Sequence, residues 1–305
     1  MENLLNQDNL LKADFEQFAN DIYFAKHLRF KKYFDDSILE QFWKIQELAN
    51  KKIGELAVER KWLTPNIVEE LYDEGIRNNK YFGQLAIEKN LLTIEQVKEI
   101  IQEQRDKFVS IGELAVNFGL IRPEKLEEEY QLFKQNQESV QKLIEEKLSK
   151  IPIPHLKLIL NTIILTLTRM LLMPPRLTTM IQPVEIIYPM DKLYLLSLNS
   201  NSFAINLYFN FDEKFVNQIF IYKFKQYKNK KLIKLRNSIP QEIANILTGV
   251  ILKNLSNATN TDIYMSVPKQ IINEHYDLQG QGEHYKFAIA SAIGKIEIVI
   301  QAPKK

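Results

Sequence analysis

The segment SIPQEIANILTGVILKNL, residues 238–255, decides how the second half of this chain is read. Ser238, Glu242 and Asn245 stand at i, i+4 and i+7, so on an α-helix they share one stripe. Gly249 continues that stripe by a further turn. Ile243, Ile246, Leu247, Val250 and Ile251 fall on a different arc, and they predict the face that buries the helix. A carboxylate and a carboxamide are thereby mounted side by side on a rigid element, facing away from the core. Pro268 follows 22 residues beyond Asn245.

The flanking sequence mixes strand and helix patterns. Phe203, Ile205, Leu207 and Phe209 alternate with Ala204, Asn206 and Tyr208, which predicts a half-buried strand. DEKFVNQIFIYKF (212–224) reads as a helix. YKFAIASAI (285–293) and KIEIVIQ (295–301) read as strands joined around Gly294 in a tight hairpin. The apolar run LKLILNTIILTLTRMLLM (156–173) approaches the length of a membrane span. Lys157, Asn161 and Arg169 interrupt it, and a charge near the centre of a span costs about 2.5–3.5 kcal/mol. The expectation is a helix buried in protein and no membrane partner. Residues 151–305 therefore read as helices on a mainly antiparallel sheet, and the chain as α+β.

The front half carries an internal repeat. IGELAVERKWLTP begins at Ile53, FGQLAIEKNLLTI at Phe82 and IGELAVNFGLIRP at Ile111, so Gly54, Gly83 and Gly112 recur every 29 residues. FAKHLRFKKYFDDSILEQFW (24–43) is a degenerate fourth copy with Ala25 at the glycine position. Thr64-Pro65 and Arg122-Pro123 predict helix entries, since proline is tolerated in a first turn. Helix–turn–helix units this short cannot bury their apolar faces alone and must stack. The repeats occupy 1–134 and a polar helix or linker follows at 135–150. Ile151-Pro-Ile-Pro then breaks any continuing helix, because a residue before proline disfavours the α region.

The spacing Ser-x3-Glu-x2-Asn-x22-Pro, with the order of elements from about 152 to 301, resembles the signature of the CheC/CheX/FliY phosphatases. These hydrolyse the aspartyl phosphate on the chemotaxis response regulator CheY, and a single motif copy is similar to CheX. The resemblance implies a CheX-like domain at 151–305 in which Asn245 orients the attacking water. Glu242 would bind the receiver's conserved lysine. Ser238, Gly249 and Pro268 would be framework: Ser238 capping the helix with Pro240 in its first turn, Gly249 letting a partner approach, Pro268 shaping a turn. The implied partner is a phosphorylated CheY-like receiver that carries its own Mg²⁺, with no cofactor or metal on this chain. A homodimer through the CheX-like domain is a further expectation.

The front repeats resemble the MshEN-type repeats of type II secretion and pilus ATPases, some of which bind cyclic di-GMP. At the positions such motifs use, this chain has Lys52, Tyr81 and Ser110, then Lys61, Asn90 and Gly119, then Gly75, Gln104 and Phe133.

Composition narrows the field further. The absence of cysteine excludes disulfides and thiolate metal sites. The start, MENLLNQDNLLKADFEQ, is too polar for a signal peptide, and a cytoplasmic location is expected. Residues 1–150 hold 22 Lys/Arg against 28 Asp/Glu and residues 151–305 hold 18 against 10, which supports two parts of opposite charge. The run YKFKQYKNKKLIKLRN (222–237), with seven cations and no acid, is a solvated loop or steers an acidic partner; nucleic acid is not expected. Gly280-Gln281-Gly282 lacks a phosphate-binding context. His275 and His284 have no third ligand, so no metal is expected. The expected function is a phosphatase-type regulator of phosphoaspartate on a receiver. The alternative is a non-catalytic adaptor, with the repeats as a protein- or cyclic-di-GMP-binding module.

Overall fold

Four residues in the left-handed region set the plan of the first half: Lys32 (φ 64°), Lys61 (59°), Asn90 (55°) and Gly119 (71°), each 29 positions from the next. Each ends the first helix of a copy, so in this computed structural model the fourth, degenerate copy is as real as the other three. The structure describes residues 20–78, 80–171, 175–200, 204–224, 232–291 and 294–302. Phe203, the start MENLLNQDNLLKADFEQ, residues 292–293 of the hairpin and residues 225–231 of the basic run lie outside them.

The four copies are α1 (20–30) with α2 (Asp36–Ala49), α3 (Ile53–Glu59) with α4 (Pro65–Asn78), α5 (Phe82–Glu88) with α6 (Ile94–Asp106), and α7 (Ile111–Asn117) with α8 (Pro123–Ser149). The second helices start where their caps stand. Asp35 accepts from the Ile38 N–H at 2.9 Å, and Thr93 and Gln96 cap reciprocally at 3.1 and 2.8 Å. α4 and α8 begin on Pro65 and Pro123, as the sequence predicts. α8 ends at Ser149, ahead of the Ile-Pro pairs.

The copies do not simply stack in series. Leu56, Leu71, Leu85, Leu92, Ile100 and their neighbours form one core from copies two and three. Phe24, Leu28, Phe42, Ile111, Leu114 and Phe133 form another from copies one and four. Two glutamines, 58 residues apart, make matching bonds across these pairs. Gln46 donates to the Val109 carbonyl at 2.8 Å, and Gln104 donates to the Lys51 carbonyl at 2.9 Å. Pairing first with last gives the outer copies a partner that an open stack would deny them.

The two cores differ at one site. Where the other copies have Leu56, Leu85 and Leu114, copy one has His27; where they have Phe42, Leu71 and Ile100, copy four has Glu129. His27 Nε2 meets the Glu129 carboxylate at 2.8 Å and the Tyr33 hydroxyl donates to it at 3.0 Å. Asp21 is a second buried acid. It accepts from the Ile111 N–H at 3.0 Å and from Gln46 at 2.6 Å. Burial pushes its pKa up to about 6 against the pull of those two donors, with Glu113 adding to the rise.

The chain divides into two compact units, Met1–Ser139 and Val140–Lys305, and the division falls inside α8. In the second unit an antiparallel sheet runs β1 (Arg176–Pro183), β8 (His284–Ala290), β9 (Lys295–Gln301), β4 (Ala204–Phe211), β3 (Lys192–Asn199), with β5 (Tyr264–Met265) and β6 (Lys269–Ile271) both on the outer side of β3. β2 (Ile186–Ile187) and β7 (Tyr276–Asp277) pair separately. α9 (Leu156–Leu171), α10 (Glu213–Phe224) and α11 (Leu232–Thr259) pack against one another, with α11 on β3 and α10 on β9. No helix among the described residues is long and apolar enough to cross a membrane. The fold is α+β, a repeat-built helical unit followed by helices on an antiparallel sheet.

One expectation for the sheet changes. β4 is buried on both faces, because Tyr208 packs with Ile187, Leu193, Leu278 and Val299 into a small second core. Asn210, fully buried, accepts from the Met190 N–H and donates to the Tyr188 carbonyl, each at 2.9 Å, and so pins the covering loop. Gly294 lies close against α10: a Cβ there would stand 2.6 Å from the Phe215 backbone nitrogen.

Both tryptophans, Trp43 and Trp62, lie in the first unit, so their fluorescence reports its unfolding alone. Lys61→Gly should stabilise that unit by about 0.5–1 kcal/mol, because glycine relieves a left-handed penalty larger than the entropy it adds to the unfolded chain. A urea midpoint at or below wild type would contradict this. Asp21 has a raised folded pKa, so its contribution is present at low pH and is lost as pH rises from about 4 through about 6. Stability at pH 5 should therefore exceed that at pH 8, by about 1.5 kcal/mol. Asp21→Asn should flatten this difference; an unchanged pH profile would refute the assignment.

Candidate functional site

α11 positions the polar stripe through its buried side. Ile239, Ile243, Leu247, Val250, Ile251 and Leu255 are buried, and so are Ala244 and Thr248. Ile246, expected on that arc, is only half-buried at its margin. The Thr248 hydroxyl turns back to the Ala244 carbonyl at 2.8 Å, and Asn254 donates to Thr162 of α9 at 2.9 Å, so these inner polar groups are satisfied within the fold. Asn260, at φ 51°, ends the helix in the left-handed region.

Opposite this arc, Ser238 and Glu242 are exposed while Asn245 and Gly249 are half-buried. At 100° per residue the four fall within a sector of about 60°. Neighbours three or four apart on such a stripe have Cβ atoms about 5–6 Å apart. Among the described residues, neither the Glu242 carboxylate nor the Asn245 carboxamide has a hydrogen-bond or ion-pair partner. Gln241 and Lys253 flank them, both exposed; their i+4 spacing to Asn245 and from Gly249 was the signal for them in the sequence.

Ser238 is not the helix cap expected of it. α11 begins at Leu232, so Ser238 lies in its second turn and Pro240 is inside the helix. The rule that places proline in a first turn fails here because helix continues upstream of the motif. An interior proline removes a backbone bond and costs about 3 kcal/mol. Pro240 is itself buried, so its ring contributes apolar packing that offsets part of this.

Pro268 sits on another element. Leu198 pairs with Met265 and Leu195 with Lys269, so three steps on β3 face four on the edge. The extra residue is a bulge containing Val267 and Pro268. Ser266 bridges it, its N–H to the Ser197 carbonyl and its hydroxyl accepting from the Ser197 N–H, each at 2.9 Å. A proline, having no N–H to donate, fits an edge bulge.

His275 is exposed, whereas His284 is buried with Nδ1 3.0 Å from the Gly282 carbonyl and the Tyr208 ring beside it. Burial holds the His284 pKa below its usual value. Among the described residues no three His, Cys, Asp or Glu side chains gather as a metal site. In the first unit, Lys52, Tyr81 and Ser110 are helix N-caps, Lys61, Asn90 and Gly119 take the left-handed turn, and Gln104 is bonded to Lys51. The fold itself employs the positions that the resemblance made ligand-facing.

A carboxamide both donates and accepts, so Asn245 suits a water that must be held in one orientation. An ionised Glu242 suits an ammonium group. Neither is a nucleophile activated by a base.

No curated protein matches the chain significantly. Solved structures similar to it include a chemotaxis protein CheX from Desulfovibrio desulfuricans, at 10% identity and TM-score 0.41, covering 48% of this chain and 97% of that one. The CheX–CheY–BeF3–Mg²⁺ complex from Borrelia burgdorferi is similar at 14% identity and TM-score 0.35, covering 50% and 99%. Thermotoga maritima FliY is similar at 15% identity and TM-score 0.32, covering 47% and 84%. The motif helix and the edge that follows it, residues 238–272, match the model of the CheC-like family.

Proposed function

We propose that this protein hydrolyses the aspartyl phosphate of a CheY-like receiver, using Asn245 to orient the attacking water and Glu242 to engage the receiver's lysine. The observation that carries this reading is the pair itself. Among the described residues Glu242 and Asn245 have no partner, and they share one stripe of α11 within the segment that matches the CheC-like family model. The choice of receiver as partner comes from the family resemblance.

An aspartyl phosphate is a mixed anhydride. Water attacks phosphorus in line, the bond from phosphorus to the carboxylate oxygen breaks, and the aspartate leaves as carboxylate. The water proton passes to a phosphate oxygen or to solvent, since a carboxamide cannot accept it. The receiver supplies Mg²⁺ and the lysine, so this chain need add only position. Glu242 would hold the lysine and fix the two proteins in register.

The test follows loss of ³²P from phosphorylated receivers of the same cell. Wild type should accelerate decay of at least one. Asn245→Ala should lower the rate by about 10²-fold with little change in receiver affinity. Glu242→Ala should chiefly weaken affinity. A receiver that binds but decays at its own rate would instead support the adaptor reading.

A further inference from the structure

We propose that Gly249 is a clearance position that determines how closely the receiver can approach Asn245. The proposal rests on the phosphatase reading above and adds a specificity residue to it. At Gly54 and Gly294 the fold supplies a steric reason for glycine. A Cβ on Gly54 would lie 2.5 Å from Val68 Cγ1, and one on Gly294 would strike the Phe215 backbone. Gly249 has no such reason, because a Cβ built there meets nothing within 4 Å. It lies inside α11, with Val250 and Ile251 buried beside it, so it does not end the helix. Glycine in a helix interior is less favourable than alanine, and nothing among the described residues would obstruct the added methyl.

The direction of helical side chains explains what the bare position does. A side chain leans toward the helix N-terminus and covers the turn before its own Cα. A group at 249 would therefore lie over the flank of Asn245, one turn back on the same stripe. With glycine there, partner backbone can come against the helix beside the carboxamide. A water held between Asn245 and a phosphoryl group requires that approach, since both must lie within hydrogen-bond reach of it.

Variants of graded size separate this role from a structural one. Gly249→Ala should raise the melting temperature of the second unit by about 2–4 °C, because it removes an unfavourable helix residue. Yet it should raise KM for the phosphorylated receiver roughly tenfold, and Gly249→Leu roughly a hundredfold, with kcat falling in the same order, because a receiver held off the helix no longer brings its phosphoryl group within reach of the water on Asn245. A KM equal to wild type in both variants would overturn the proposal while leaving the phosphatase reading intact. If wild type binds a BeF3-loaded receiver without turnover, the phosphatase reading falls. Affinity then decides: graded loss in the two variants supports clearance, and unchanged affinity overturns it. A wild type that neither binds nor dephosphorylates any receiver overturns both.

Discussion

Burial of Ile243, Leu247, Ile251 and Leu255 fixes the rotational phase of α11, and the candidate site depends on that phase. Each of these side chains contributes about 1.5–3 kcal/mol when taken out of water. Turning the helix by one residue, 100°, would carry the stripe toward the margin of the core and bring apolar side chains out. The unpaired carboxylate of Glu242 would then face desolvation. Apolar packing therefore aims the polar pair, and no hydrogen bond to the pair is needed to do so. Among the described residues, both groups are without a partner of their own.

The first unit shows the same physics with polar groups kept inside. Its nested pairing joins segments far apart in sequence, such as Asp21 with Ile111 and His27 with Glu129. The leucine and isoleucine of the other copies show that an apolar pair would fill the His27 and Glu129 positions. A buried hydrogen-bonded polar pair is weak evidence for stability, but it penalises wrong partners, because Glu129 against the core of copies two and three would be left without its hydrogen bonds. Four similar copies pose that hazard acutely. The His27–Glu129 pair thus favours copy one against copy four, alongside the bonds of Gln46 and Asp21.

Periodic features were legible in the sequence. The 29-residue repeat, the Pro65 and Pro123 entries and the buried arc of α11 follow from local rules with a period. What escaped was set by partners with no period. The pairing of first copy with last depends on Gln46 and Asp21, single residues that reach across 60 to 90 positions. The second face of β4 is covered by strands of two residues, too short to leave a pattern. The bulge at Pro268 shows only once β5 and β6 are seen to share β3. Ser238 misled because Ser-x-Pro imitates a helix start, and only the course of α11 upstream of it could correct that.

Two residues in α11 work against the helix that holds the site. Pro240 lies two positions before Glu242 and Gly249 lies four after Asn245, and together they disfavour helix by about 4 kcal/mol relative to alanine. Local propensity therefore does not hold this segment straight. Its anchor is tertiary: the buried arc, the bond from Asn254 to Thr162 and the left-handed stop at Asn260. Most helical stability in proteins arises this way, from packing of one face. The consequence is specific to the site. Residues on the outer stripe can be chosen for a partner's surface, glycine included, because the inner face alone secures the element that carries them.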